Sequence, residues 1–323
     1  MSGTISGIVV NYNGAGVLVP CLNSLLSQTR PFDEIVVIDN ASTDESLSTV
    51  RQCFPQVRLH ALEKNVGYAE GCNRGIAATS GELVAVLNND IVLAPTWLEN
   101  MLSGNHEPWD FWASLVLFAK GSRHVDSAGD GMAVIGAAYK TGHGQAPVAY
   151  AEPREVFGPC AAAALYRRSL LEATGGFDPD FFLIYEDADL SLRARLLGFR
   201  CLFVPSAIAY HHVNTSIGSF SQTYVFYGHR NSEYVFWKNM PWPLLLLYLP
   251  ERLLFDLLSF VYFTTLGRGW SFVKAKADFL RHFGEVMRKR RRIQRSRLLK
   301  TSELRRALTR NWLRYRLKGG AEP

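Results

Sequence analysis

The fold is decided by residues 5–44, which read ISGIVVNYNGAGVLVPCLNSLLSQTRPFDEIVVIDNASTD. The run Ile5–Val10 is rich in β-branched residues and predicts a strand. A turn at Asn13-Gly14 follows it, and Val17–Ser27 is then predicted as a helix. The apolar run Glu34–Ile38 predicts a second, buried strand. A strand, a helix and a strand in this order indicate the first unit of a layered α/β fold.

The same alternation continues along the chain. Ser42 and Glu45 have the capping-box spacing that starts a helix. The next predicted elements are a strand Val57–Ala61, a helix Gly67–Thr79, a strand Leu83–Leu87, and a helix with Pro95 in its first turn that runs to Leu102. This spacing predicts a mostly parallel sheet with helices on both faces.

Polar residues cluster where these predicted strands end. They are Asn11, Tyr12 and Asn13 after the first strand, Asp39 and Asn40 after the second, Asn65 after the third, and Asn88, Asn89 and Asp90 after the fourth. Ligands of parallel sheets bind at the carboxyl ends of the strands. The sequence therefore predicts a binding site along this edge.

The composition is that of an ordinary globular protein. The chain has 323 residues, of which 48% are apolar and 20% charged, so we expect about two domains and a sizeable core. Fibrous and low-complexity proteins are excluded by only 26 glycines and 14 prolines. Five cysteines without a CxxC motif predict small buried hydrophobes in a reducing compartment. No signal peptide precedes Ile5, so a cytoplasmic location is expected.

The charge is unevenly distributed. The net charge is +6, but residues 267–323 carry 18 Lys and Arg against 4 Asp and Glu. The rest of the chain carries 17 basic against 25 acidic residues, so an acidic body adjoins a basic tail. Such a tail predicts an anionic partner, which is a membrane face, a nucleic acid or a phosphorylated substrate. A solvated helix is the alternative.

The segment before the tail is strongly apolar. Trp242–Leu266 reads WPLLLLYLPERLLFDLLSFVYFTTL, interrupted at residues 250–252 and by Asp256. Charges near the centre of a spanning helix cost about 2.5–3.5 kcal/mol each, so a span is disfavoured. We expect a peripheral helix or hairpin on the inner face of the cytoplasmic membrane, held to anionic lipid by the basic run 288–292. The alternative is a helical region that packs on a partner subunit.

Six longer motifs stand in a fixed order along the chain. They are IVVNYN (8–13), VVIDNASTD (36–44), EKNVGYAEGCNRGI (63–76), LNNDI (87–91), GGFDPDFFLIYEDADLSLRARLLGF (175–199) and YHHVNTSIG (210–218). Over residues 5–240 the chain resembles the rhamnosyltransferase-like branch of family 2 glycosyltransferases. The resemblance implies a GT-A fold, a nucleotide-sugar donor, a divalent metal and inversion at the anomeric carbon. We accordingly expect a GT-A catalytic domain over residues 1–238 and an apolar, then basic, helical region over residues 239–323.

A candidate metal site follows the fourth strand. A metal held by a carboxylate stabilises the negative charge that grows on a leaving diphosphate, and Mg²⁺ or Mn²⁺ often takes only one or two protein carboxylates. Asp90 is placed for this, although the family pattern has two aspartates and this chain has Asn88 and Asn89 before its single one. By resemblance the further ligand is His211, which aligns better than His212. A turn for Asp90 and a structural role for His211 are the alternatives.

The donor is assigned to the other strand ends. The carboxylate of Asp39 is suited to hydrogen bonds from a base or ribose, while Ser42 is expected to cap a helix. Asn11, Tyr12 and Asn13 are expected to frame the base by amide hydrogen bonds and ring stacking. The resemblance implies donor contacts also for Asn65, Gly67, Tyr68, Asn88, Asn89 and Arg230. A structural ion pair is the alternative for Arg230.

The acceptor needs a base, because a sugar hydroxyl is a poor nucleophile at neutral pH. Glu186 and Asp187 precede a predicted amphipathic helix, and a helix N-terminus favours the charged carboxylate. Resemblance to the family's Glu-Asp motif favours Asp187 as the base, with Glu186 second; stabilisation of the helix dipole alone is the alternative. Asp189 is expected to pair with Arg193. The loop Gly175–Phe182 is expected to present an acceptor-side surface.

These expectations describe a metal-dependent inverting glycosyltransferase. It would move a hexose or deoxyhexose such as rhamnose from a nucleoside diphosphate to a glycan hydroxyl, on a lipid-linked acceptor in cell-surface polysaccharide synthesis. A dinucleotide enzyme is disfavoured because Val19 stands where the fingerprint needs a third glycine. A sugar-phosphate nucleotidyltransferase would need a basic residue within Gly14–Pro20, which has none. A nucleic-acid binder could use Trp312, Tyr315 and the tail arginines, but the acidic body does not support it.

Overall fold

The computed structural model describes residues 3–103, 107–119, 123–212 and 220–313. The strands of this part are β1 (Ile5–Asn11), β2 (Glu34–Asp39), β3 (Arg58–Ala61), β4 (Leu83–Asn88), β5 (Ile91–Leu93), β6 (Phe111–Phe118), β7 (Val125–Ser127), β8 (Asp130–Met132), β9 (Ala138–Lys140), β10 (Arg154–Val156), β11 (Ala163–Arg167) and β12 (Cys201–His211). The helices are α1 (Ala15–Leu26), α2 (Ser46–Cys53), α3 (Tyr68–Ala77), α4 (Trp97–Ser103), α5 (Arg168–Thr174), α6 (Glu186–Leu196), α7 (Gln222–Asn239), α8 (Trp242–Thr265), α9 (Gly269–Arg281), α10 (Phe283–Ser296) and α11 (Thr301–Ala307).

The four strands predicted in the N-terminal part are confirmed, each to within one residue at either end. The capping box predicted at Ser42 is wrong, because α2 begins only at Ser46. The Ser42 hydroxyl instead donates to the Asp39 carboxylate at 2.6 Å, which shapes the loop after β2. Pro95 likewise precedes its helix, since α4 begins at Trp97.

The main sheet is mostly parallel, as the strand–helix alternation predicts. Its order is β10-β12-β6-β11-β4-β1-β2-β3, with β5 paired to β12 and β7 paired to β6. The pairs β1–β2, β1–β4, β2–β3 and β6–β12 are parallel, whereas β11 runs antiparallel between β4 and β6. A separate antiparallel pair, β8–β9, places Asp130 directly opposite Lys140.

Helices cover both faces of the sheet, which explains why its central strands are continuously apolar. Val9 and Leu87 point to the face that packs on α1 and α4. Their neighbours Ile8 and Val86 point to the opposite face, which packs on α3, α5 and α6. All four side chains are completely buried. This two-sided core holds the carboxyl ends of β1, β2 and β4 side by side.

The helices after residue 238 pack on the same body. They share a third apolar core with α6, α7 and the turn after β8. Arg252 of α8 is 1% exposed, donates to the Ile135 carbonyl at 2.8 Å, and pairs with Glu233 at 2.8 Å and Asp256 at 3.2 Å. Lys276 of α9 pairs with both of those carboxylates. The packing is therefore continuous across residue 238. The division into a catalytic domain before this residue and a membrane-associating region after it stays a prediction.

Helix α8 has two different sides. Its charged residues face the protein: Arg252 and Asp256 belong to the buried ion pairs, and Glu251 accepts from the Trp312 indole at 3.2 Å. The exposed residues of the helix are all uncharged. We call the large ones among them the apolar face of α8: Trp242, Leu246, Leu247, Leu253, Leu254, Leu257, Leu258, Phe260, Val261 and Tyr262. Within the described ranges, no helix combines the length and hydrophobicity required to cross a bilayer.

The five cysteines are free thiols. Cys21, Cys72, Cys160 and Cys201 are buried, as predicted for small hydrophobes. Cys53 is exposed, so the prediction is wrong for it, because it is the last residue of the surface helix α2.

Candidate active site

The amide of Asn11 joins the end of β1 to its two neighbouring strand ends. Its Nδ2 donates to Asp39 Oδ1 and to Ser46 Oγ, both at 2.9 Å, and its Oδ1 accepts from Asn89 Nδ2 at 2.8 Å. Asn11 is fully buried, and Asp39 and Asn89 nearly so. Buried polar groups with all these partners hold a single geometry. Asn11 therefore braces the strand ends, and its burial does not support the expected direct contact with a base.

A polar loop follows β2 at this edge. Both carboxylate oxygens of Asp39 accept from Ser42, whose hydroxyl in turn accepts from the Asn13 backbone N–H at 2.9 Å. Asn13 has a φ of 49° and its side chain accepts from the Thr43 N–H at 2.8 Å. Tyr12 is 44% exposed and leaves its ring open to a ligand. Donor contacts of Asp39, Tyr12 and Asn13 stay predictions.

A second amide, that of Asn40, fixes the loop before α3, and no sequence motif had marked its role. Its Nδ2 donates to Asn65 Oδ1 at 3.0 Å and to the Gly67 carbonyl at 3.2 Å. Gly67 has a φ of +86°, and a Cβ there would lie 2.6 Å from the Phe182 carbonyl oxygen, so glycine is required. The Tyr68 N–H donates to that same carbonyl at 2.6 Å. The predicted donor loop thus rests against the segment that leads into α6.

Asp90 and His211 meet, as the resemblance implies. His211 Nε2 lies 3.2 Å from Asp90 Oδ1. Adjacent ligands of an octahedral cation bound at 2.0–2.1 Å stand about 3 Å apart, so the two residues fit one divalent ion. A carboxylate suits Mg²⁺ and Mn²⁺, and an imidazole is a common ligand of transition-metal ions. Asn88 precedes them half-buried at the end of β4, and its donor contact stays a prediction.

Asp126 lies behind His211 and was not predicted. Its Oδ2 is 2.8 Å from His211 Nδ1, and Lys140 Nζ donates to its two oxygens at 2.7 and 2.8 Å. Burial opposes the charged imidazole, yet hydrogen bonds to Asp126 and Asp90 raise the pKa of His211 to about 9. Although burial also opposes its ionisation, hydrogen bonds from His143 and His211 hold the pKa of Asp126 well below its usual range. A carboxylate on Nδ1 leaves Nε2 facing Asp90, which is how metal-binding histidines are oriented in proteins.

Asp187 lies in the first turn of α6, among buried acids. Its two oxygens accept from the N–H groups of Ala161 at 3.1 Å and Ala188 at 2.7 Å. The carboxylates of Asp187 and Asp130 and the thiol of Cys160 lie within 4.8 Å of one another. Burial raises the pKa of Asp187 against the effect of those two amides. Burial and the Asp187 charge raise the pKa of Asp130 to about 8.

Glu186 differs from its neighbour. It is 7% exposed, and its Oε2 has no hydrogen-bond partner within the described residues. Burial and the nearby charge of Asp187 raise the pKa of Glu186 to about 8. A carboxyl that keeps its proton at neutral pH is a poor base, whereas amide hydrogen bonds favour the ionised form of Asp187. Their surroundings therefore favour Asp187 over Glu186 as the base, a distinction that two neighbouring positions in the sequence could not make.

The helix that carries these acids is not amphipathic, so that prediction is wrong. Nearly all of α6 is buried, because it lies between the main sheet and the later helices. The predicted pair is confirmed: Arg193 Nε donates to Asp189 Oδ2 at 2.7 Å. Asp189 Oδ1 also accepts from Asn239 at 2.7 Å and pairs with Lys238 at 2.8 Å. This polar packing fixes the position of the first turn.

The loop before α6 is less open than expected. Phe177 and Phe181 are buried in the core, so they do not present an aromatic surface. Arg230 donates to the carbonyls of Asp180 at 2.7 Å and Phe181 at 3.1 Å, and pairs with Asp278 at 3.4 Å. These contacts correspond to the structural alternative for Arg230, and a contact with the donor stays a prediction.

The candidate residues lie along one row of neighbouring polar groups. Hydrogen bonds join Asp39 to Asn11 and Asn11 to Asn89, and the next residue, Asp90, contacts His211, which contacts Asp126, itself paired with Lys140. Lys140 stands opposite Asp130 in the β8–β9 pair, and the Asp130 carboxylate lies within 4.8 Å of that of Asp187. The last predicted motif lies partly outside the described residues, from 213 to 218.

Two solved glycosyltransferases have the same architecture. GalNAc-T7 with UDP, GalNAc and Mn²⁺ matches with a TM-score of 0.57 at 17% identity, over 72% of this chain and 47% of that one. The mannosyltransferase PcManGT from Pyrobaculum calidifontis, in complex with GDP-Man and Mn²⁺, matches with a TM-score of 0.54 at 20% identity, over 88% and 76%. The expected GT-A fold is confirmed by these likenesses.

Two relatives carry informative names. An N-acetylglucosaminyl-diphospho-decaprenol L-rhamnosyltransferase of Mycobacterium tuberculosis is 28% identical over 263 residues, which are 73% of this chain and 84% of that protein. The O-antigen biosynthesis protein RfbC of Myxococcus xanthus is 29% identical over 227 residues, 66% of this chain. The chain spans only 17% of RfbC and 26% of the uncharacterized protein y4gI of Sinorhizobium fredii.

Two family descriptions match the sequence itself. "Glycosyl transferase family group 2" matches residues 133–270. "Glycosyl transferase family 2" matches residues 6–175, which span the strand-end loops and Asp90. Because this second match covers more than half of the 323 residues, the chain belongs to glycosyl transferase family 2.

Proposed function

We propose that the protein transfers a sugar from a nucleoside-diphosphate donor to a hydroxyl of a glycan acceptor, with Mg²⁺ or Mn²⁺ and with inversion at the anomeric carbon. The observation that carries the proposal is a row of neighbouring polar groups that leads from the Asp90–His211 pair through Asp126 and Lys140 to the acids Asp130 and Asp187. A ligand pair for the leaving diphosphate and a carboxylate for the acceptor are the two parts that such a transfer needs.

The donor is proposed to lie along the carboxyl edge of β1, β2 and β4. The exposed ring of Tyr12 is free to stack on a base, and Asp39 and Asn13 border it. The loop Asn65–Tyr68 closes the other side, with Asn88 and Asn89 beneath and Arg230 as a more distant candidate. A divalent ion held by Asp90 and His211 would supply positive charge to the leaving diphosphate. Two solved structures of the same fold contain a nucleotide together with Mn²⁺.

Asp187 is the proposed base. It takes the proton of the acceptor hydroxyl as oxygen attacks the anomeric carbon and the diphosphate leaves from the opposite face. Two backbone amides keep its carboxylate in place, whereas Glu186 has no such support on Oε2. Glu186 is therefore the second candidate.

The acceptor is proposed to be a lipid-linked glycan of cell-surface polysaccharide synthesis, and the sugar rhamnose or another hexose. The names of the M. tuberculosis rhamnosyltransferase and of RfbC support this choice. The apolar face of α8 supports it independently, because a lipid-linked substrate is met at a membrane.

A donor screen tests the proposal. Purified protein is incubated with a panel of nucleotide sugars, with Mg²⁺, with Mn²⁺ or with chelator, and slow donor hydrolysis is followed by mass spectrometry. We expect hydrolysis of at least one donor with metal, a loss of about 100-fold or more in Asp90→Ala, and no change in the exposed control Glu152→Ala. Absence of any binding or hydrolysis would overturn the proposal, as would full activity of Asp90→Ala.

We also propose that the protein docks peripherally on the inner face of the cytoplasmic membrane. The apolar face of α8 extends over a helix of 24 residues, and Trp270 and Leu280 of α9 are 70% and 67% exposed. Exposed apolar surfaces of this extent mark interaction sites. Arg291, Arg292 and Arg295 of the neighbouring α10 line an exposed basic hollow that complements anionic lipid.

Vesicle flotation tests this docking. We expect the protein to float with phosphatidylcholine vesicles that contain phosphatidylglycerol, and less with phosphatidylcholine alone. The double variant Leu253→Ser, Leu257→Ser should lose flotation, whereas Leu298→Ser, an exposed leucine outside α8, should not. Equal flotation of all variants would contradict the docking face. Dimerisation that the double variant abolishes, or RNA binding in a pull-down, would support the partner-subunit or nucleic-acid alternative instead.

A further inference from the structure

Lys140 stands between the two halves of the proposed site. Its Nζ lies 2.7 and 2.8 Å from the oxygens of Asp126, which holds His211. On β9 it is directly opposite Asp130 of β8, and side chains in such positions have Cβ atoms about 4.5–5.5 Å apart. The Asp130 carboxylate is itself within 4.8 Å of Asp187. One lysine thus adjoins a carboxylate on the metal side and a carboxylate on the base side.

The surroundings of Asp187 give this lysine an electrostatic role. Ionisable groups on the surrounding elements interact electrostatically with Asp187: Asp130 of β8, Lys140 of β9, Cys160 before β11, Tyr166 of β11, Cys72 of α3 and Glu186 of α6. Lys140 is the cation of this set of described residues. Burial and like charges favour the protonated form of a carboxylate, and an opposite charge within a few ångströms counters them.

We propose that Lys140 is a positioning residue of the transfer, whose charge keeps Asp187 ionised beside Asp130 while its ammonium holds Asp126 against His211. The inference rests on the proposed function and adds to it a residue that no motif marks. Asp130 keeps the proton of the acid pair, and Asp187 stays open to receive the proton of the acceptor hydroxyl. The ammonium thereby links the metal side of the site to the base.

Removal of this charge has a defined consequence. In Lys140→Met the side chain keeps its length but not its charge, so the midpoint of Asp187 ionisation should rise by about one pH unit or more. Lys140→Arg keeps the charge and should restore most of the shift. Asp130→Asn removes the competing acid and should move the midpoint downward. A lysine with a merely structural role would not raise the midpoint in Lys140→Met and restore it in Lys140→Arg, whereas Asp130→Asn reports only the coupling of the two acids.

The direct experiment is a ¹³C NMR titration of the aspartate carboxyl carbons in the full-length protein. The Asp187 signal is identified by its loss in Asp187→Asn, and Lys274→Met serves as an exposed lysine control. We expect an upward shift in Lys140→Met, near wild-type values in Lys140→Arg and Lys274→Met, and a downward shift in Asp130→Asn. If Lys140→Met does not fold, Lys140→Gln removes the same charge while keeping a polar group beside Asp126, and the same upward shift is expected there.

Steady-state kinetics at varied pH distinguish a failure of this inference from a failure of the proposed function. In Lys140→Met the acid limb of the kcat profile should move upward with the NMR midpoint, while the KM for the donor changes less. An Asp187 midpoint that is unchanged in Lys140→Met would overturn the Lys140 proposal, whatever the activity. A wild-type protein that transfers no sugar would overturn the proposed function, and the NMR shifts would still decide the electrostatic link.

Discussion

The proposed donor side, at the ends of β1, β2 and β4, and the proposed base side, around Asp187 and Asp130, are built from different chemistry. On the donor side, the buried amides of Asn11, Asn40 and Asn89 are hydrogen-bonded to other strand ends and loops. On the base side, burial raises the pKa of Asp130 and Glu186 to about 8. Neutral groups with complete partners stabilise the fold, whereas buried acids weaken it and set proton affinity. The amides of the donor side therefore fix the positions of the strand ends, and the acids of the base side set the proton affinity of the proposed base.

The largest effect should separate the two acids that begin α6. Asp187→Asn removes the base and should lower kcat by about 10²–10⁴-fold. Glu186→Gln replaces a carboxyl that is already protonated at neutral pH and should cost less than about 10-fold. Steady-state kinetics with the donor found in the screen measures both. A larger loss in Glu186→Gln than in Asp187→Asn would exchange their roles.

The donor side should respond in stability. Asn11→Ala deletes the amide that joins three strand ends, so Asn89 Nδ2 loses its acceptor and Asp39 loses one of its hydrogen bonds. We expect the free energy of unfolding to fall by about 2–4 kcal/mol. The adjacent exposed residue is the control, since Tyr12→Ala should stay within about 0.5 kcal/mol of wild type. Urea unfolding measures both, and equal stabilities of the two variants would remove the distinction between the two sides.

Asp126 tests how the metal side is held. Asp126→Asn weakens the contact with His211 Nδ1, and loss of such a supporting carboxylate lowers metal affinity by about 10–100-fold. Free Mn²⁺ measured by electron paramagnetic resonance reports this without any turnover. Glu152→Gln is the matched exposed control. Unchanged Mn²⁺ affinity in Asp126→Asn would show that His211 is oriented by other groups.

The last effect is measured as a slope, the pH dependence of stability. Glu186 has an ordinary pKa of 4.5 and a pKa of about 8 in the folded protein. Between these values only the unfolded chain releases the proton, so Glu186 destabilises the fold increasingly as pH rises, by up to about 1.4 kcal/mol per pH unit. Urea unfolding between the two pKa values should therefore show a shallower decline in Glu186→Gln. An identical slope in both proteins would contradict the burial argument.

The donor side was the more predictable side from sequence. The apolar strands β1, β2 and β4, of six or seven residues, end in Asn or Asp, and parallel strands bring their ends to one edge. The fourth strand and the resemblance together placed Asp90 and His211 in contact. The role of Asn11 was less clear, because a sequence shows that an amide stands at a strand end but not that it is fully buried there.

The base side depended on contacts that sequence patterns do not carry. Asp126, Asp130 and Lys140 lie on strands of three residues, too short for a periodic pattern. Ser42 has capping-box spacing, yet its hydroxyl is used by Asp39, which delays the helix to Ser46. The charges of α8 marked it as an unlikely span, but their pairing with α7 and α9 could be read only from the packed structure.

The central claim is a single displacement in which Asp187 is the one base and no side chain attacks the sugar. The anomeric configuration of the product, measured by ¹H NMR before it equilibrates, tests this most directly. We predict that the new glycosidic bond has the configuration opposite to that of the donor. A product with the donor's configuration would require a second displacement and would contradict the account.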